Sequence, residues 1–167
     1  MTKYLHVAVR VLLFALFGLL IQVFFTSTDR LRSGNWVMYG HTSPWMMLDY
    51  GLLGIAVGPI CTYLSRKHIP LLGRAVVYML GIFLVEYVSG HIFTYFGLHI
   101  WDYSNLPLNL QGQITLTFAP LWYFLGLWLE FLYRRIDACA WVMLHGVSVP
   151  TLENWLGNHS MPQEAVK

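Results

Sequence analysis

One carboxyl group stands where its surroundings offer no water. Glu86 lies in the string VEYVSG, inside a long apolar run that follows Pro70. A carboxyl in such a run is costly unless it is neutralised, paired or hydrogen-bonded. Its chemistry there is limited to a few roles. It can accept a proton, meet a cationic group, act as general acid or base, or make a plain structural hydrogen bond to another helix. Its helical neighbours at three and four residues are Ile82, Phe83, Ser89 and Gly90. The last two make that face small and slightly polar, suited to close packing on a second helix.

Other polar residues fall at similar or shallower depth. Gln22 is near the end of one apolar run, Asp49 is in the first turn of another, and His91 follows Glu86 by five residues. The stretch LHIWDYSNLPLNLQGQ, residues 98–113, adds His99, Trp101, Asp102 and Asn109, and His41 lies in an earlier loop. Glu86, Gln22, Asp49, His91, Asp102, Trp101 and Asn109 are therefore the candidate lining of one polar pocket. A metal is not expected in it. Glu86 and His91 are about 140° apart around an ideal helix, and His-x-x-x-His spacing is absent. No cofactor motif is present either, and GxxxxGK[ST] is missing. Within 98–113, Asp102, Asn105 and Asn109 can each close a turn onto the backbone, while Trp101 and Tyr103 suit the headgroup zone. The stretch reads either as a binding loop or as a folded cap.

The elements that must position these groups follow from composition. Of 167 residues, 57% are hydrophobic and only 11% charged, against about 25% charged in soluble domains. So little charge cannot coat a small globule in water, but it suits a lipid-facing surface. A span needs about 20 mostly apolar residues to cross about 30 Å of hydrocarbon. Four segments qualify: 5–25, 45–64, 71–96 and 114–133. Each must be helical, because unpaired backbone groups in lipid cost several kcal/mol apiece. The predicted fold is all-α, a polytopic membrane bundle of about four transmembrane helices. It divides into a transmembrane domain, 1–135, and an amphipathic segment with tail, 136–167. The apolar patch 138–149 is too short to span and reads as an interfacial helix anchored by Trp141 and Trp155.

Position, rather than the net charge of +2, is what the basic residues report. One side of the four-span arrangement collects Lys3, Arg10, Arg66, Lys67, Arg74, Arg134, Arg135 and Lys167; the other has Arg30 and Arg32. The positive-inside rule puts both termini in the cytoplasm of a cell-membrane protein. On that side the Asn158-His159-Ser160 sequon stays unglycosylated. The first apolar run lacks a small-x-small cleavage pattern and reads as an uncleaved span. Nothing in this charge pattern suits nucleic acid. Membrane lipid is the expected partner, with self-association or another membrane subunit as further partners.

Four smaller features have packing explanations. Gly54-x-x-x-Gly58 permits close helix approach. Pro59 and Pro120 should kink their helices. Glu130, four residues before Arg134, suits a surface ion pair or a snorkelling anchor. Cys61 and Cys139 read as buried free thiols.

The strings VEYVSG (85–90), WDYSNLPLNLQGQITL (101–116) and Leu121-Trp122 resemble the motifs of small membrane proteins described as "putative ABC-transporter type IV", a family related to vertebrate transmembrane protein 229. SPWMMLDYG (43–51) and Glu130 fit the same pattern. The resemblance covers about residues 15–133. It implies a four-span protein with a transport association. The family pattern has a glutamate where this chain has Gln22, which can hydrogen-bond but not exchange a proton. The tail beyond Arg135 has no recognised counterpart. Residues and resemblance together suggest a permease-like or accessory transport subunit with a polar site around Glu86. The alternatives are a membrane-embedded enzyme using Glu86 with His91 or Asp102, and a noncatalytic structural or regulatory subunit.

Overall fold

The computed structural model describes residues 2–32 and 34–146. The sequon, Trp155 and the tail lie outside them. Four long helices make up most of the chain: α1 (Thr2–Arg32), α2 (Met46–Arg66), α3 (Leu71–Tyr95) and α4 (Ala119–His145). All four are long and apolar enough to cross a membrane. Between α3 and α4 lie two short antiparallel strands, β1 (Asn109–Leu110) and β2 (Ile114–Thr115), then a 3₁₀ turn (Leu116–Phe118). Large side chains such as Leu20, Phe24, Leu84 and Phe124 are more than half exposed. On a soluble protein that would be untenable; here it is the lipid-facing surface.

Helix ends are set by local backbone chemistry. α2 closes in a Schellman motif: His68 is left-handed (φ 55°), its N–H reaches the Ser65 carbonyl, and Ile69 N–H reaches Leu64. Pro70 follows and α3 starts at the next residue, so the two helices are joined by a tight turn. α3 ends the same way. Gly97 has φ 75°, its N–H bonds Thr94 and Leu98 N–H bonds Phe93. Here glycine supplies a conformation that other residues rarely adopt.

Two antiparallel pairs, α1 with α2 and α3 with α4, close around one core of Phe14, Val57, Tyr78, Leu129, Leu132 and Ile136. Small residues set the spacing. Gly54 faces Val11 of α1, and Arg10 Nε donates to the Gly54 carbonyl at 2.7 Å. Gly58, on the same stripe, faces Tyr133 of α4 instead. A Cβ on Gly126 would come 2.8 Å from the Ala75 carbonyl oxygen of α3.

Three expectations about the last span are corrected. The helix does not begin at Ile114, because Ile114 and Thr115 pair with the β1 strand. Pro120 does not kink a helix interior. It lies in the first turn, where no N–H partner is required. The helix also runs unbroken past Arg135 to His145, so residues 138–145 are its last two turns rather than a separate helix. No glycine or proline interrupts that stretch. Cys139 is exposed rather than buried and Cys61 is partly exposed.

Candidate functional site: a polar cluster beneath the loop

The loop after α3 is a folded cap stitched mainly to itself. Asp102 Oδ1 accepts the Ser104 amide at 2.8 Å and the Ser104 hydroxyl. The Asn109 amide donates to the Leu106 carbonyl at 2.7 Å and to that of Ser104 at 3.2 Å. Tyr103 N–H reaches the Gly112 carbonyl at 2.8 Å. These bonds hold Asp102 below its ordinary pKa: the Ser104 hydroxyl and then its amide stabilise the carboxylate, with His99 adding a little. Trp101 fastens the cap to α3. Its indole N–H donates to the Gln113 carbonyl at 2.9 Å, and its ring meets Phe93 edge-on. Gly90 leaves room for Trp101 and the Gln113 side chain. The small face beside Glu86 therefore receives the cap at Gly90 rather than another helix.

Beneath the cap, α1, α2, α3 and α4 each bring polar groups together. Glu86 is about 22 Å along α3 from its start. Its Oε2 is buried and has no hydrogen-bond partner. Trp122 of α4 points its indole towards the carboxyl, yet Nε1 is also buried and unpartnered. The two are neighbours whose geometry falls short of a hydrogen bond. Asp49 lies within electrostatic reach of Glu86, as do Tyr50 and Tyr103. Asp49 is 8% exposed and takes the Ser89 hydroxyl at 3.0 Å. The Tyr50 hydroxyl donates to Gln22 Oε1 at 2.9 Å, and Thr42 donates to the same oxygen at 2.9 Å. Burial, and then the Glu86 carboxylate, hold the Tyr103 phenol proton on above its ordinary pKa. Among the described residues, no lysine, arginine or histidine pairs with Glu86 or Asp49.

Of the seven predicted lining residues, the structure gathers three: Glu86, Asp49 and Gln22. Trp101 borders them as part of the cap. Asp102 and Asn109 are exposed and serve the cap's own turns. His91 is exposed as well, with Nδ1 on the Tyr87 carbonyl at 2.7 Å and Nε2 on Gln111 at 2.8 Å. An acid–base grouping of Glu86 with His91 or Asp102 is thus not assembled. The residues that do surround Glu86, namely Tyr50, Tyr103 and Trp122, were not anticipated. Two of them carried a signal: Tyr50 and Tyr103 each directly follow an acidic residue that drew attention first.

With that geometry in view, comparison with known proteins decides the family. The family model described as "Putative ABC-transporter type IV" matches residues 9–152. The chain belongs to that family. No solved structure matches it. The match of this type IV chain extends past Arg135, where the recognised motifs had stopped, in keeping with α4 continuing to His145. The chain is thus a multi-pass membrane protein of a transport-related family.

The type IV bundle carries a second polar layer at its opposite end, whose carboxyls are paired, although Arg74 Nε there is buried without a hydrogen-bond partner. Glu130 is 7% exposed, so it is not the surface partner of Arg134 that its spacing suggested. It turns inward, taking the Tyr78 hydroxyl at 2.8 Å and Arg74 at 3.4 Å. Arg10 reaches Asp137 at 2.6 Å and lies over the Tyr133 ring at 5.0 Å. Helix spacing alone misassigned Glu130 because its partners come from α3, across the core.

Proposed function

We propose that this chain is a permease-like or accessory membrane subunit of a transport system in the cell membrane, and that Glu86 is its working group. One observation carries the reading. Glu86 Oε2 is buried without a partner beside an equally unpartnered Trp122 N–H, while Glu130, also buried, is fully engaged. Leaving a polar atom unsatisfied in a dry interior costs about 1–3 kcal/mol. Such sites persist where function needs them.

The chemistry on offer is that of a carboxyl beside a second carboxyl and three aromatic rings. It can take up a proton or receive the N–H or charge of a cationic species, with Tyr50, Tyr103 and Trp122 as hydrogen-bonding walls. The family description supports a transport association. With no nucleotide-binding motif in the chain, energy coupling through ATP would come from another subunit. The positive-inside rule orients the bundle with Arg66, Arg74 and Arg134 towards the cytoplasm and the cap outside. His91 and Asp102 are committed elsewhere, so no observation favours the enzyme reading.

The test is replacement of the only cellular copy by Glu86→Gln. Expected is the phenotype of cells lacking the chain, with normal amounts of protein in the membrane. Wild-type behaviour of the variant at equal abundance would refute the proposal.

A further inference from the structure

At the end of the bundle away from Glu86, α1, α2 and α4 border a groove of about 780 Å³. Its lining is mostly apolar and includes the exposed side chains of Ile55 and Pro59 of α2. Its rim is basic and carries Arg66, Arg134 and the Thr62 hydroxyl. Two other charged groups in its wall are already neutralised: Arg10 by Asp137 at 2.6 Å, and Glu130 by Arg74 at 3.4 Å. Arg66 and Arg134 have no ion-pair partner among the described residues. The groove therefore joins two uncompensated guanidiniums to a hydrocarbon-lined slot. Arg66 is the last residue of α2, where the helix meets the turn to α3. Exposed Tyr63 one turn earlier suits the headgroup level.

We propose that this groove is a specific site for one anionic phospholipid. The phosphate bridges Arg66 and Arg134, and an acyl chain lies along Ile55 and Pro59. Charge complementarity selects the occupant, since a planar guanidinium pairs with phosphate oxygens through two parallel hydrogen bonds. Basic pockets between spanning helices near the positively flanked face meet this chemistry at the bilayer surface. The proposal is independent of the role given to Glu86, because the two sites share no residue.

The test uses the full chain in neutral detergent, with phosphatidylglycerol and phosphatidylcholine as probes and native mass spectrometry as the readout. Wild type should retain one phosphatidylglycerol about tenfold more tightly than phosphatidylcholine. The double variant R66Q/R134Q should lose that preference, and R66K/R134K should keep part of it. R135Q should leave it intact, because Arg135 lies over the Phe131 ring at 5.0 Å and does not line the groove. Equal retention of the two lipids by wild type would overturn the proposal. So would a comparable loss in R135Q, full displacement by inorganic phosphate, or a stable dimer that excludes the lipid.

Discussion

The Ser89 hydroxyl lies 3.0 Å from Asp49 Oδ2, tying α3 to α2 at the level of Glu86. The same hydroxyl lies 2.7 Å from the Val85 carbonyl of its own helix. Asp49 is thereby tied to α3 one turn beyond Glu86, and among the described residues neither carboxyl bonds the other. The cluster is held by its neighbours, while its central oxygen stays unengaged. At the opposite end, every partner of Glu130 faces it. That contrast between a satisfied and an unsatisfied carboxyl separates the part of the bundle that holds it together from the part proposed to work.

Glu130 should therefore be a strong stability determinant. Glu130→Ala takes the counter-charge from the part-buried Arg74 and the acceptor from the Tyr78 hydroxyl, and should cost about 1–3 kcal/mol. Denaturation in detergent micelles, followed by tryptophan fluorescence, measures it. A loss within about 0.5 kcal/mol, the range of ordinary surface substitutions, would mean that the pair is not buried as described.

Close approach of α3 and α4 depends on Gly126. An added methyl there meets the Ala75 backbone, which has nowhere to move, so Gly126→Ala should destabilise by about 1–3 kcal/mol. Gly81→Ala is the matched control, since nothing lies within 4 Å of its added carbon. It should be neutral or slightly stabilising in the same denaturation assay, because alanine is the better helix former. Equal effects at the two positions would contradict the helix packing.

The four spans and the anomaly at Glu86 were legible in the sequence because hydrophobic run length is a local property. The cap was legible only as one of two readings, a binding loop or a folded cap, both suggested by its closely spaced Asn, Asp and Pro. Residues 114–118 were misread as helix because their apolar character hides a strand and a 3₁₀ turn. The company of Glu86 was only half legible. Asp49 and Gln22 could be placed by depth, but which of Asp102 and Tyr103 faces inward depends on a turn whose direction spacing does not encode. Trp122 stood out only as part of the Leu121-Trp122 motif, because which face of α4 meets α3 is decided by packing and not by spacing.

The cap should respond to acid through Asp102. Its bonds from Ser104 hold the carboxyl below its ordinary pKa, so they stabilise the folded loop at pH values above the usual aspartate value of about 3.9. That contribution is lost as pH falls through the lower folded-state pKa. Amide exchange at Ser104, corrected for intrinsic rate, should show protection dropping on acidification in wild type. In Asp102→Asn it should be flat with pH. A pH-independent wild-type profile would refute the assignment.

The most direct test of the account compares melting in detergent for wild type, Glu86→Gln and Glu130→Gln. A carboxyl kept for work rather than for structure should be replaceable without loss of stability. Glu86→Gln should melt at or above the wild-type temperature, while Glu130→Gln melts well below it. A fall for Glu86→Gln as large as that for Glu130→Gln would show Glu86 to be a structural tie, and the proposed working site would be lost with it.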